Sequence, residues 1–301
     1  MRLTVSDGAR QKLHYEAIHS DYEDHYYDSE SMAFRERFYY DPLLAGLDLN
    51  YCSVADLASG SGHTSLAVLR RFQNAAVAGF DISRVACEAY RHNVGKPCLE
   101  ADLTKPFEYP DKFDFAVIVG GLHHCVADLP AATRNVAQLL KPGGRFLLLE
   151  PNMECVLEGA RRLWYRTDKY FDAETERALS HSDTLRRAGE QFRGEGVGYY
   201  GGPGYFLISQ SLLFRIPKPV KRVISPPLMV VEALFNRVST RWIHPYFIAR
   251  WVRNSDKPAE DLGDFPLEWL HVLVAQGRPG KRPFAAGPTR AVAVVMARTV
   301  G

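Results

Sequence analysis

The stretch VADLASGSGHTS, residues 54–65, decides the fold of this chain. It begins with apolar residues typical of a strand, passes through a row of small residues and leads into the helix-like segment HTSLAVLRRF. A glycine-rich turn between a strand and a helix lets a ligand approach the backbone beside the unpaired N–H groups of the helix. By itself the stretch fits a tight turn equally well, and a dinucleotide site would place a third glycine where Ser65 stands.

Strand-like and helix-like segments alternate around this stretch, over residues 51–150. The apolar segments are SVADLA, AAVAGFDI, FDFAVIVGG and RFLLLEPN, and the helix-like ones include SRVACEAYRHN, with Ser83 as a candidate N-cap, and LPAATRNVAQLL. Strict alternation predicts βαβ units and a parallel sheet. Because the strands are almost continuously apolar, we expect helices to cover both faces of the sheet.

Composition narrows the class of protein. A chain of 301 residues with 46% hydrophobic residues can form one large α/β domain, or one domain with a sizeable insertion. The formal net charge of +2 disfavours a nucleic-acid-binding surface. Five scattered cysteines argue against a disulfide framework and against a zinc site, so no metal is expected. With no apolar signal segment and no membrane-length apolar run, we expect a cytoplasmic protein.

The rest of the chain differs from this alternating core. Residues 153–264 contain arginine-rich, glycine- and tyrosine-rich and aromatic segments, which predict a mainly helical and irregular insertion that binds the substrate. The segments EWLHVLVAQ and TRAVAVVMART predict an antiparallel hairpin at the sheet edge. The predicted domains are therefore a helical N-terminal lid (1–50), a core (51–152 with 265–301) and the insertion.

Polar residues follow the strands of the core at their carboxyl ends. Asp81 ends the second strand, where a carboxylate can accept hydrogen bonds from both hydroxyls of a ribose, or can serve as an N-cap or surface acid. Asp102 suits an acceptor for an adenine amino group, and an exposed loop aspartate is equally consistent with it. FDFAVIVGGLHHC delivers Gly120, His123 and His124 to the same crevice.

These elements together resemble the class I S-adenosylmethionine-dependent methyltransferases. That family's glycine loop has the form D-x-G-x-G-x-G, which stands here as residues 56–62 with Ala58 in place of the first glycine. LHHCVADLP and LLKPGGRFLLLEPN resemble the family's segments after the fourth strand and up to the fifth. The resemblance covers residues 51–150 well. It implies a doubly wound, mostly parallel seven-stranded Rossmann-like sheet with an antiparallel C-terminal strand.

The resemblance also implies a cofactor and a set of site residues. The cofactor is S-adenosylmethionine and the product S-adenosylhomocysteine. His123 and His124 are candidates for a general base, because imidazole titrates near neutral pH, although either can simply pack in the turn. Tyr26 and Tyr27 of the tyrosine-rich N-terminus can close over the sulfonium cation, or pack on the sheet. The residues expected to bind the cofactor are Ala58, Ser59, Gly60, Gly62, Asp81, Ile82, Asp102, Leu103, Gly120, Tyr26 and Tyr27.

The sequence thus predicts an enzyme that methylates a hydroxyl or amine of a small molecule, such as a natural product, a sugar or a lipid-like compound. Arginines beside aromatic residues near 237–253 suit a bulky apolar acceptor, an anionic acceptor or a peripheral membrane contact. The alternatives are an NAD(P)-type oxidoreductase, and a catalytically silent scaffold or membrane-peripheral binding module with this fold. Neither a nucleic acid nor a transmembrane segment is expected.

Overall fold

The computed structural model describes residues 26–159, 177–211 and 214–255, which all belong to one compact unit. The helices within these ranges are α1 (Ser29–Arg35), α2 (Asp41–Leu44), α3 (His63–Arg71), α4 (Arg84–Val94), α5 (Leu129–Leu139), α6 (His181–Arg187) and α7 (Lys218–Phe235). The strands are β1 (Ser53–Leu57), β2 (Ala76–Asp81), β3 (Cys98–Glu100), β4 (Phe113–Val119), β5 (Leu140–Pro151), β6 (Phe192–Tyr200) and β7 (Tyr246–Arg253).

One seven-stranded sheet organises these elements, with the strand order β3-β2-β1-β4-β5-β7-β6. Strands β1 to β5 are parallel to one another, and β7 runs antiparallel to both β5 and β6. The order reverses between β1 and β4, and ligands of open α/β sheets bind in the crevice at such a reversal. The doubly wound, mostly parallel fold predicted from the sequence is confirmed.

Both faces of the sheet are covered, which explains the almost continuously apolar strands. One core packs α5 against β1, β2, β4 and β5, with Ala55, Ile118 and Leu148 fully buried. The other places α3 and the N-terminal helices on the opposite face, around Phe34, Val117 and Leu147. The predicted cap of α4 is confirmed, because Ser83 Oγ accepts a hydrogen bond from Ala86 N.

The strands that complete the sheet differ from the prediction. β6 and β7 come from within 153–264, the range assigned to a mainly helical and irregular insertion, so that assignment is wrong for these residues. The predicted hairpin strands EWLHVLVAQ and TRAVAVVMART lie outside the described residues. A short apolar run can be a buried strand or a buried helix. In β7 six residues are buried because the strand lies between β5 and β6: Tyr246, Phe247, Ile248, Ala249, Trp251 and Val252.

Strand β6 was harder to predict for another reason. Its sequence, FRGEGVGYY, contains three glycines, and glycine disfavours an isolated strand. Pairing with β7 over eight registered residue pairs, with one irregularity near Gly194, stabilises this edge strand.

The N-terminal range 1–50 contains α1, a π-helical turn (Glu36–Tyr40) and α2 where it is described. No helix among the described residues is long and apolar enough to cross a membrane.

Candidate functional site

The turn after β1 has a backbone that only small residues accept. Ala58, Gly60 and Gly62 all have positive φ angles, of 49°, 51° and 92°. A side chain at Gly62 would lie 2.3 Å from Val94 Cγ2, so packing excludes one there. A Cβ atom at Gly60 would meet no atom of the described residues within 4 Å, so the turn is open on that side. The turn is therefore packed against α4 below Gly62 and open above Gly60.

A buried hydrogen-bond network holds this turn from below. Asp56, at the end of β1, accepts hydrogen bonds from Ser65 N at 3.0 Å and from Ser65 Oγ at 2.7 Å. The Ser65 hydroxyl also lies 2.7 Å from the hydroxyl of Tyr90 on α4. Burial raises the pKa of Asp56 to about 7, although the two hydrogen bonds from Ser65 lower it. Ser65, which a dinucleotide fingerprint would replace with glycine, thus ties helix α3 to the strand before it.

Asp81 joins the ends of β1 and β2. Its Oδ2 accepts a hydrogen bond from Gly60 N at 2.8 Å, and its Oδ1 accepts one from Ser83 N at 2.9 Å. The backbone N–H of Ser59 donates to the carbonyl of Phe80, the residue before Asp81 in β2. Asp81 is not the N-cap of α4, since Ser83 has that position. The carboxylate therefore lies directly beside the open side of the turn.

Asp102 lies farther along the same edge, after β3. Its Oδ1 accepts hydrogen bonds from Thr104 N at 2.9 Å and from Thr104 Oγ1 at 2.6 Å, which stabilises a local turn. The side chain of Leu103 is buried in the core, and its carbonyl accepts a bond from Asn135 Nδ2. Ile82, next to Asp81, is half-buried. These predicted residues lie along the carboxyl edge of β2 and β3.

The turn after β4 is held by a carboxylate that the sequence analysis did not single out. Glu150, on the neighbouring strand β5, is fully buried. Its Oε1 accepts hydrogen bonds from Gly121 N at 3.0 Å and Leu122 N at 2.7 Å. Its Oε2 lies 2.8 Å from His123 Nδ1 and accepts a further bond from His123 N. One carboxylate therefore fixes both the backbone of this turn and the ring of His123.

This contact favours one tautomer of His123 when Glu150 is ionised. A carboxylate accepts, so Nδ1 carries the proton in the neutral ring, and Nε2 is then the basic nitrogen. Burial raises the pKa of Glu150 to about 7, while the backbone donors and the nearby His124 lower it. The ring of His124 lies 3.9 Å from that of His123 between centroids. His123 Cε1 lies near Gly120, whose φ is +68°.

The two predicted N-terminal tyrosines have different positions. Tyr27 stacks on His63, the first residue of α3, with 3.8 Å between ring centroids, so it lies next to the glycine turn. Tyr26 is buried and donates its hydroxyl to Gln210 Oε1 at 2.9 Å. The guanidinium of Arg35 lies 4.7 Å from the centroid of the Tyr27 ring. Tyr27, and not Tyr26, therefore contacts the start of α3.

Glu150 was missed by the sequence analysis, which gave Asp56 only as the first residue of the glycine-loop motif. Asp56 stands two residues before the small residues, and Glu150 ends the apolar run of β5. Because parallel strands end at one edge of the sheet, the reasoning that selected Asp81 also applies to Glu150. No group of histidine, cysteine or acidic residues in 26–159, 177–211 or 214–255 is arranged to hold a metal ion.

Comparisons with known proteins agree with this geometry. Residues 54–144 match the family model of a methyltransferase domain. The [4+2]-cyclase SpnF has the same fold, with a TM-score of 0.58 at 15% identity over 83% of this chain and 98% of that one. A SAM-dependent methyltransferase of Thermotoga maritima, a possible histamine N-methyltransferase, gives 0.50 at 17% identity over 81% and 99%. No curated protein matches the sequence.

The residues at the sheet edge fit the cofactor of this family, S-adenosylmethionine. The backbone beside Gly60 is open, and an additional methyl group at Gly121 would lie 2.5 Å from Ala58 Cβ, so the two turns that border the crevice are packed together. Asp81 lies at the open side of the first turn. The matched segment thus contains β1 to β4, both turns and most of the crevice edge. Fold, crevice and family model together identify residues 54–144 as the domain of a class I S-adenosylmethionine-dependent methyltransferase.

Proposed function

We propose that this enzyme methylates a hydroxyl or amine of a small molecule and that His123 is the general base. The observation that carries the proposal is the contact of 2.8 Å between His123 Nδ1 and the buried carboxylate of Glu150. A carboxylate that holds Nδ1 orients the ring and stabilises the imidazolium that forms when Nε2 takes a proton. A histidine that only packs in a turn does not need this partner.

In this proposal the cofactor lies across the ends of β1, β2 and β3. The backbone of Ala58, Ser59, Gly60 and Gly62 faces its methionine and ribose parts. Asp81, already fixed by Gly60 N and Ser83 N, has further lone pairs for the ribose hydroxyls. Asp102 accepts from the adenine amino group, beside Ile82 and Leu103. When bound, S-adenosylmethionine supplies an electrophilic methyl group on a sulfonium centre.

The acceptor then lies between that methyl group and His123, on the side of Gly120. His123 Nε2 takes the proton of the acceptor hydroxyl or amine as the acceptor's lone pair forms the new bond to the methyl carbon. The electron pair of the bond between carbon and sulfur would stay on sulfur, so the transfer would leave S-adenosylhomocysteine. The charge of Glu150 stabilises the protonated histidine, and the fixed geometry supplies the alignment that an in-line displacement requires.

The N-terminal residues have a role in this proposal as a cover. The ring of Tyr27 stacks on His63 at the start of α3, and the cation of Arg35 lies over the same tyrosine. Tyr27 therefore encloses the methionine end of the cofactor, and Arg35 is a candidate partner for its carboxylate. Tyr26 contributes through packing, since its hydroxyl is bonded to Gln210. The backbone N–H of Arg177 donates to the carbonyl of His123 at 3.4 Å. In this proposal the described part of 153–264 therefore borders the place of the methyl acceptor.

Calorimetric titration tests the cofactor assignment first. S-adenosylhomocysteine should bind to the purified protein, and NADH should not. Binding of NADH alone would support the oxidoreductase alternative instead. Asp81→Ala should weaken S-adenosylhomocysteine binding by about tenfold or more, because a charge-assisted pair of bonds to the ribose is lost. Unchanged affinity in that variant would show that another acid contacts the ribose.

Transfer of a labelled methyl group to a panel of alcohols and amines tests the base. His123→Ala should lower the rate by about 100-fold or more with little change in cofactor affinity. The matched control is His92→Ala, an exposed histidine at the end of α4. An undiminished rate in His123→Ala would remove the base from the proposal. This test is needed because SpnF, which has a similar fold, is a cyclase. Binding of the cofactor alone therefore does not establish methyl transfer.

A further inference from the structure

Helix α7 exposes an apolar face, unlike an ordinary surface helix. Its fully buried residues are Lys221, Ser225 and Glu232, and the partly buried Leu228, Met229 and Ala233 pack against the core beside them. A surface helix normally buries an apolar stripe and exposes its polar side chains. On α7 the exposed residues at helical spacing are apolar: Pro219, Val220, Val223, Pro226, Pro227, Val230, Val231 and Leu234. We call this set the outer face of α7.

The buried polar residues explain why the helix cannot rotate to hide the outer face. Lys221 Nζ donates to Asp28 Oδ2 at 2.8 Å, which ties α7 to the start of α1. Glu232 accepts from Gly202 N at 2.8 Å and from Gly204 N at 2.9 Å. Turning the helix would carry Lys221 and Glu232 away and leave Asp28 and the N–H groups of Gly202 and Gly204 without these bonds, at a cost larger than that of exposing a few valines. The apolar exposure is therefore fixed by the fold.

The apolar surface continues beyond the end of the helix. Val238, Trp242 and Ile243 follow in the connection to β7, and the side chain of Trp242 is 55% exposed. A group of exposed large apolar side chains of this kind marks an interaction site. Tryptophan in particular is enriched where an apolar phase meets water. The connection therefore extends the outer face instead of ending it.

The charges around this surface have one sign. Lys218, Arg222, Arg237 and Arg241 are exposed along it. Over residues 214–243 the sequence contains a single acid, Glu232, which is buried. Within the described part of the chain, Glu30 lies 3.6 Å from Arg222 and Glu154 lies 3.8 Å from Arg241. An excess of positive charge remains around an apolar centre.

We propose that the outer face of α7, extended by Val238, Trp242 and Ile243, docks on a membrane surface that contains anionic lipids. Valine, leucine and tryptophan side chains enter the boundary between headgroups and acyl chains, and the flanking arginines contact the phosphates, as in other interfacial helices. The charge pattern favours this occupant over a second copy of the chain, because two such faces would bring like charges together. The proposal does not depend on the chemistry of the active site.

Flotation of the full-length protein with vesicles tests the proposal. Binding should be strong to phosphatidylcholine vesicles that contain phosphatidylglycerol, weak to phosphatidylcholine alone, and reduced by added salt. The double variant Val223→Ser with Val230→Ser should lower the partition coefficient by about tenfold or more, since apolar contact with the acyl boundary is lost. The matched control is Val85→Ser, an exposed valine on α4.

A second pair of variants tests the charge. Arg222→Gln with Arg237→Gln should lower binding to the anionic vesicles by about 30-fold, because each of the two basic residues near such a surface adds about 1 kcal/mol. Arg84→Gln with Arg186→Gln is the control, since both arginines are as exposed as Arg222. The vesicle variants should keep normal affinity for S-adenosylhomocysteine, which separates this test from that of the methyl-transfer proposal.

Three results would overturn the docking proposal. One is absence of vesicle binding by the full-length protein, which would mean that the face is covered in solution. Another is equal binding by the wild type and the Val223→Ser, Val230→Ser variant. The third is sedimentation of the wild type as a dimer that this variant dissociates, which would make the outer face an interface between copies of the chain.

Discussion

The turn after β1 and the turn after β4 border the same crevice, and each is held by one buried carboxylate. Asp56 holds the first through Ser65, nine residues along the chain, and Glu150 holds the second through residues nearly thirty positions earlier on the neighbouring strand. Burial raises the pKa of both carboxyl groups to about 7. The difference lies in what each one fixes: Asp56 holds the backbone and hydroxyl of Ser65, whereas Glu150 holds backbone and a histidine ring. We therefore propose that the first turn binds the cofactor and that the second takes part in the reaction.

The largest effect should come from Glu150→Gln. The amide of glutamine can donate to His123 Nδ1, which would move the ring proton to Nε2 and remove the basic nitrogen. We expect the rate of methyl transfer in single-turnover experiments to fall by about 100-fold or more, with the affinity for S-adenosylhomocysteine changed by about twofold at most. Glu232→Gln, at a buried carboxylate that accepts from the backbone of Gly202, Gly204 and Tyr205 and from Asn236, is the control. Equal rates in the wild type and Glu150→Gln would mean that the second turn has no chemical role.

The next prediction compares two glycines of the first turn. Gly62→Ala places a methyl group 2.3 Å from Val94 Cγ2 and should lower the free energy of unfolding by about 3 kcal/mol. Gly60→Ala meets no atom within 4 Å and should lower it by only about 1 kcal/mol, the cost of a positive φ. Its methyl group enters the open side, so S-adenosylhomocysteine affinity should fall by about tenfold or more. Urea unfolding and calorimetry measure the two effects, and normal binding by Gly60→Ala would place the cofactor elsewhere.

A smaller effect is expected from Ser65→Ala. The variant removes the hydroxyl that links Asp56 to Tyr90, and should lower the free energy of unfolding by about 1–2 kcal/mol. Ser53→Ala is a matched control at the other end of β1, where Ser53 Oγ donates to the half-exposed Asp114 at 2.8 Å. We expect the control to lose less free energy of unfolding, because water can replace its hydrogen bond. An equal loss in the two variants would contradict the idea that burial gives the Asp56 network its importance.

The smallest effect concerns pH. The pKa values of Asp56 and Glu150 in the folded protein, about 7, lie above the values near 4 of the unfolded chain. The folded state therefore binds these protons more tightly, so their contribution to stability is complete below about pH 4 and is lost as the pH rises through 7. Asp56→Asn and Glu150→Gln should each flatten the decline in unfolding free energy between pH 5 and 8, measured with urea. Curves parallel to the wild type would mean that the carboxyl groups titrate normally.

The sequence by itself determined the half of the sheet that contains the first turn. Strand β1, the small residues, helix α3 and Asp81 are adjacent along the chain, and local backbone preferences dictate their structure. The same reasoning predicted a doubly wound, mostly parallel sheet and Ser83 as the N-cap of α4, and both are confirmed. The cofactor roles of Gly60, Asp81 and Asp102 remain predictions, since only ligand binding can test them.

Tertiary structure alone decided the other half. The glycine-rich β6 is a strand because β7 pairs with it, and β7 is buried because β5 lies on its other side. His123 contacts Glu150 because β4 and β5 pair as neighbouring strands. The orientation of α7 follows from the ion pair of Lys221 with Asp28, 193 positions apart in the chain. Each of these features depends on contacts between distant segments, and no local pattern of residues encodes which distant segments will meet.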